Sequence, residues 1–405
     1  MTSIYEKNIL TFIYWRMSMK KSGLFFLCAA ITGYADGAPT IVEQNIHGLP
    51  QPRNAPHIEK GSWLFGADFL YWQAQVDNLE FGIFQDITVD TAALEFDASQ
   101  RSLRLTNSWD PGFRVSLGYH GDQNPWDISL TYTYMHNTAR GSKNITGEET
   151  GANGNLLYRK LLRPGWVPAF LGDSAITAKA RYTLNYNIVD LPLGRNFFIS
   201  RTLAIHPFFG LRGAFLNQDY TAHYTAVFSM HQFNGTLVDF PPVPTRFGAE
   251  NTYNAVGLRG GTDLLWHWAN NWALLGKASA SVLYGKFHIK EKVIGRALTS
   301  DGIGAPAILP LTQTDNESYW RTRANMEAYV GLQWEMFFWN KRHIALNLGY
   351  EIAHWFQQNE WNDLVSDSVV AGGGMNEGIQ GSVDKIARGG DLGLQGLTFN
   401  LAFDY

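Results

Sequence analysis

The chain has 405 residues with 36 acidic and 32 basic side chains, and its net charge of −4 offers no basic excess for nucleic acid. Aromatic residues reach 14% and charged residues only 17%, against about 25% charge in an ordinary soluble domain, which excludes a disordered chain. The single cysteine, Cys28, excludes a disulfide scaffold, and abundant Gly (40) and Trp (14) without a long apolar run in the body favour one large closed sheet in a membrane.

Residues 1–35 read as a signal peptide. Lys20-Lys21 precede the short apolar stretch 24–31, and Gly33-Tyr34-Ala35 offers small residues for cleavage after Ala35. The stretch is shorter than the roughly 20 residues of a spanning helix. Leu27 before Cys28 argues against a lipid-modified cysteine. Residues 36–60 are expected to be a periplasmic linker, and residues 61–405 an outer-membrane barrel.

From residue 61 onward the sequence alternates with period two. In chain order the alternating runs are 63–71, 113–119, 126–134, 180–188, 203–215, 256–266, 272–284, 326–334, 344–352 and 397–405. They predict ten strands, with 12–16 as the alternative if further strands lie in the connections. The last run places Leu397, Phe399, Leu401, Phe403 and Tyr405 on one face and ends on an aromatic residue. That is the terminal signature of bacterial outer-membrane barrels. Leu401, Phe403 and Tyr405 are the expected signal for the outer-membrane assembly machinery.

Alternation alone does not separate a soluble sandwich from a membrane barrel. Connector length does. Short segments at 122–125, 194–202, 268–271 and 340–342 alternate with long ones at 76–108, 137–175, 221–250, 290–321 and 357–390. Short periplasmic turns and long extracellular loops produce this rhythm. Trp63, Trp126, Trp266, Trp268, Trp272 and Trp339 cluster near the short turns, and Trp72, Trp109, Trp320 and Trp355 near the long ones. Two interfacial girdles are expected from that placement. An even strand count also puts both termini on one side. The predicted fold is therefore all-β: a transmembrane antiparallel up-and-down barrel.

The segments Gly61–Gln73, Trp109–Tyr119, Phe208–Gly213, Gly257–Trp266, Leu346–Glu351 and Leu392–Leu397 together resemble the Legionella-type major outer membrane proteins, which also occur in chlamydia-related bacteria. The resemblance implies a porin-like outer-membrane barrel without catalytic residues. Chlamydial relatives are cysteine-rich and cross-linked, whereas this chain has no cysteine after residue 35, so a disulfide-linked lattice is excluded.

A search for chemistry finds no HExxH, Walker or GxSxG sequence. The histidines lack metal-ligand spacing; His223 and His231 read as solvated loop residues, and Gly372–Gly378 as a flexible tip. No cofactor, metal or catalytic residue is assigned, and the chain is not expected to be an enzyme.

The inward face carries the sharper signal. Arg114, Arg181, Arg212, Arg259 and Lys277 are the predicted inward cations, and Asp68, Glu327, Glu335 and Glu351 the predicted inward acids. Opposed charged walls make a transverse field across a water-filled pore. The same charges, paired across a lumen this narrow, make a plug. The resemblance implies the pore: passive diffusion of small polar solutes through a major structural component of the envelope. The alternatives are a non-conducting structural or adhesive surface barrel and, less favoured, an outer-membrane hydrolase. Expected partners are outer-membrane lipid and lipopolysaccharide, the assembly machinery, small polar solutes and further copies of the chain.

Overall fold

The computed structural model describes residues 62–404 apart from 122–125, 146–149, 154–155, 167–173, 228–229, 234–235, 240–242, 270, 300–306, 339–341 and 371–379. The leader, the linker, the Gly372–Gly378 tip, Trp339 and Tyr405 lie outside the described residues. The strands are β1 (Ser62–Val76), β2 (Gly82–Asp90), β3 (Glu95–Leu103), β4 (Thr106–Asn107), β5 (Trp109–His120), β6 (Trp126–Asn144), β7 (Thr150–Asn153), β8 (Leu156–Pro164) and β9 (Thr177–Arg195), followed by β10 (Phe197–Phe198), β11 (Leu203–Val227), β12 (Met230–Phe233), β13 (Thr236–Asp239), β14 (Val243–His267), β15 (Trp272–Thr299), β16 (Ala307–Phe338), β17 (Arg342–Val370) and β18 (Gln380–Asp404).

Ten of these form a closed ring in the order β1, β5, β6, β9, β11, β14, β15, β16, β17, β18, each antiparallel to its neighbours. The ring closes where β18 returns to β1, with Phe399 opposite Phe69. The ten strands are the ten alternating runs of the sequence. Short β4 and β10 attach at the rims, and β3-β2-β8-β7 and β12-β13 form two small sheets separate from the ring. The connections at one end are short. Those at the other are long, and much of their length is strand: β15 and β16 stay paired from Trp272↔Trp334 up to Thr299↔Ala307.

The faces exchange character along the strands. On β1, outward Trp63, Phe65, Phe69 and Tyr71 give way to Gln73 and Gln75, while inward Gly66 and Asp68 give way to Leu70, Trp72 and Ala74. On β11, outward Phe209, Leu211 and Phe215 give way to Asn217 and Asp219. The cause is the solvent. Near the short turns hydrocarbon lies outside, so apolar side chains face out. Beyond that band water lies outside, so the apolar face must turn inward. The outward apolar run 63–71 of β1 matches the roughly 9–11 residues of a tilted spanning strand.

Above the band the inward apolar residues merge into one core that fills the ring, with Leu70, Trp72, Tyr182, Tyr220, Phe287 and Trp355 all buried. Tyr186 on β9 and Trp355 on β17 stand on opposite walls of the ten-strand ring, yet their ring centroids are 6.1 Å apart, edge to face. Trp72 and Trp355 therefore belong to this core and not to an interfacial girdle. Trp109 and Trp320 do face outward at that level, as Trp63, Trp126, Trp266, Trp268 and Trp272 do near the short turns.

The bulge in β17 between Trp355 and Asn359 holds Gln357 at φ 51 and turns Glu360 inward over the core. Phe81, just before β2, anchors the four-stranded outer sheet. Its carbonyl accepts a hydrogen bond from the Tyr224 hydroxyl at 2.7 Å, and its ring lies where a Cβ on Gly141 would stand. Replacing Gly141 with Leu should displace Phe81 at a cost of about 1–3 kcal/mol. Limited proteolysis should then release segment 82–103 while the barrel keeps its heat-modifiable gel mobility.

Candidate functional site

Three arginines reach into the lumen at the level of the apolar band. Arg212 on β11 is 2% exposed. Its Nε and Nη2 donate to the two oxygens of Asp190 at 2.6 and 2.8 Å. Its Nη1 donates to Glu327 Oε1 at 2.5 Å and to Asn325 Oδ1 at 2.6 Å. Arg259 on β14 bridges the same two acids, at 3.1 Å to Asp190 and 2.7 Å to Glu327. Arg114 on β5 donates to Asp68 at 3.1 Å and to Glu351 at 2.7 Å, and its guanidinium stands 5.6 Å from the Trp72 ring. Lys277 lines the same space with its ammonium 5.6 Å from the Tyr329 ring.

The basic side chains Arg114, Arg212, Arg259 and Lys277 thus meet the carboxylates Asp68, Asp190, Glu327 and Glu351. These charges are largely paired, and Asp127 and Asp263 line the same space, so acids outnumber the basic side chains there. Neutral partners complete the set: Ser279 donates to Glu327 at 3.0 Å, and Thr398 donates to Glu351 at 3.1 Å while accepting from the Trp72 indole at 3.1 Å. The last contact ties the charged layer to the aromatic core above it.

Two sequence expectations are corrected. Arg181 does not face the lumen: it is exposed, between the buried Ala180 and Tyr182. The run 180–188 lies above the band, where the apolar face points inward, so its parity is opposite to the one inferred from an apolar-outward rule. The opposed walls do not stay apart either, because the charges pair across the lumen. Glu335 faces inward but sits apart from the central set, near the short turns. There it accepts from Gln333 at 3.0 Å and meets His267 at 2.8 Å and His343 at 3.4 Å. Leu401 and Phe403 face outward, opposite Ala67 and Phe65 of β1.

Asp190, the main partner of Arg212, is missing from the sequence reading. A signal for it existed. Asp190 shares the parity of Ile188, so an outward Ile188 would have put a carboxylate into lipid. That conflict was enough to reverse the register of this strand.

The interior holds distinct cavities among the described residues. A central cavity of 300 Å³ lies among the charges, and a second of 300 Å³ lies near the short turns. Their walls share Leu64, Asp127, His206 and Asp263. A third cavity, of 860 Å³, opens above the aromatic core and has no lining residue in common with the central one. Tyr182, Tyr319 and Trp361 line it with Arg321, Glu360 and Arg388. Glu360 pairs with Arg321 at 2.8 Å and with Arg323, and accepts from the Tyr319 hydroxyl.

A family model described as the Legionella pneumophila major outer membrane protein precursor matches residues 54–405. No curated protein matches the chain. Among solved structures, the chain is similar to the outer membrane protease OmpT of Escherichia coli at 9% identity and a TM-score of 0.31, covering 85% of this chain and 96% of that one. A Pseudomonas aeruginosa FadL homologue is similar at 8% identity and a TM-score of 0.20, covering 86% and 90%. The toluene transporter TodX of P. putida is similar at 8% identity and a TM-score of 0.20, covering 88% and 92%. Similarities this weak bear on neither function nor mechanism.

Proposed function

Since the chain belongs to the Legionella major outer membrane protein family, we propose that it is a sealed structural barrel of the outer membrane that presents a tall β-hairpin head at the cell surface. The observation that carries this reading is the aromatic layer between the central and outer cavities, seen most directly in the contact of Tyr186 with Trp355 across the ring. Buried side chains of this size contribute roughly 1.5–3 kcal/mol each through the apolar area they remove from water. A layer drawn from most of the strands does not part without a substantial cost.

The second reading is a channel for small polar solutes. The 860 Å³ outer cavity favours it, as a vestibule of mixed charge large enough for such a solute. Conduction would then require the aromatic layer to move. Swelling of liposomes in an arabinose or raffinose gradient separates the two. A sealed barrel leaves swelling at the rate of protein-free liposomes, and an open one raises it in proportion to the protein inserted.

In this reading the short turns face the periplasm and the long hairpins face outward, after export directed by residues 1–35. A protease added to intact cells should cut within 146–173 or 371–379 and leave 268–271 untouched. Cleavage at 268–271 in intact cells would contradict the orientation.

A further inference from the structure

Above the apolar band, the outward faces from β6 to β15 carry a cluster of exposed basic side chains. On β15, Lys286 is the register partner of Trp320, whose ring stacks on Tyr284 at 5.3 Å at the upper edge of the apolar band. Lys290 and Lys292 continue up the same outward face, and all three are exposed. On the other flank of this sector, Arg140 of β6 stands directly opposite Arg181 of β9. Lys179 lies two residues from Arg181 on the same face, and these three are exposed as well. Like charges directly opposite on neighbouring strands are destabilising. Among the described residues, no side-chain hydrogen bond or ion pair engages Arg140, Arg181 or Lys179.

Arg246 and His223, register partners on β14 and β11, extend the patch between the flanks. Burial, and after it the adjacent Arg246, lower the His223 pKa. Two acids interrupt the sector: Asp219 and Glu250 face each other, and Glu250 is also the register partner of Lys290 on β15. Burial, reinforced by Glu250, raises the Asp219 carboxyl above its ordinary range. Around the rest of the ring, the outward positions at the same level include the uncharged Gln73, Gln75 and Gln395. The charged pairs on that side include His354 with Asp391 at 3.1 Å and Arg104 with Glu80 at 3.2 Å.

Height selects the ligand. Arg140 is six residues beyond Tyr134, the last outward aromatic on β6. At about 3.4 Å per residue and a tilt of about 40° it stands roughly 15 Å above the band. Lys286 lies at the band edge itself. A ligand that spans both levels carries anions at the membrane surface and again on sugars above it. A phosphorylated glycolipid of the outer leaflet has that form, and guanidinium and ammonium groups bind its phosphates by charge-assisted hydrogen bonds.

We propose that the outward face from β6 to β15 is a binding site for lipopolysaccharide. Lys286 takes a membrane-level phosphate, and Lys290, Arg140, Arg181 and Lys179 take the phosphates of its inner sugars. The site rests on the orientation given above, which the whole-cell protease experiment tests on its own.

The test uses the full chain purified in detergent, with fluorescent lipopolysaccharide and its enzymatically dephosphorylated form as probes. Each basic residue removed beside an anionic lipid surface should weaken binding about fivefold. The pairs Arg140→Ala with Arg181→Ala, and Lys286→Ala with Lys290→Ala, should therefore each cost roughly 25-fold. Gln73→Ala with Gln75→Ala should leave affinity unchanged, and heat-modifiable mobility identifies the variants that fold. Should the alanine pairs unfold, Arg140→Gln and Lys290→Gln singly carry the same expectation at about fivefold. Equal binding of the dephosphorylated form, or unchanged affinity in folded basic variants, would overturn the proposal. Full displacement by equimolar inorganic phosphate would also overturn it, because the patch would then be a free-anion site.

Discussion

Replacing Arg212 with Ala should cost the barrel about 3–5 kcal/mol, as is usual when one partner of a buried ion pair is removed. Asp190 and Glu327 would then face each other with only Arg259 between them. Arg212→Glu should be worse, because it adds a third carboxylate to the same space. Urea unfolding of the refolded chain in lipid vesicles measures the loss. Arg181→Ala supplies the contrast. Its side chain is exposed on the outer wall, so the change should stay within about 0.5 kcal/mol. Comparable losses at the two positions would show that Arg212 is not the centre of the network.

The second large effect belongs to the aromatic layer. Trp355 is fully buried and Tyr186 is 2% exposed. Trp355→Ala alone should destabilise by about 3–5 kcal/mol through lost burial and the cavity left behind. Combined with Tyr186→Ala, it removes both members of the contact across the ring. Tyr186 also lines the central cavity, so the double variant should connect that cavity with the outer one and admit water. Vesicles carrying it should leak ions that vesicles carrying the unaltered chain retain.

Period-two alternation located all ten barrel strands, because lipid and water select opposite faces on each of them. It also carried the inward parity of Arg212, through outward Leu211 beside it. It misassigned Arg181 because apolar was read as outward everywhere. That rule holds only where hydrocarbon lies outside, and apolar alternation by itself does not mark the level at which the solvent changes. Asp190 was the available clue, since a carboxylate on an apolar face is tolerable only if the face points inward. Trp72 and Trp355 were misplaced for the same reason: a tryptophan near a strand end suits an interface and a core equally well. The pairing of Arg114 with Glu351 was beyond reach. Their strands are far apart in sequence, and the contact depends on how narrow the closed ring is.

Closure of the lumen is most directly tested by current recordings from the purified full-length chain in planar lipid bilayers. A barrel sealed by the Tyr186–Trp355 layer above the Arg114, Arg212 and Arg259 pairs should insert without steady conductance. The Tyr186→Ala, Trp355→Ala variant should give discrete steps under the same conditions. Regular, long-lived conductance steps from the unaltered chain would contradict the sealed barrel and favour the channel.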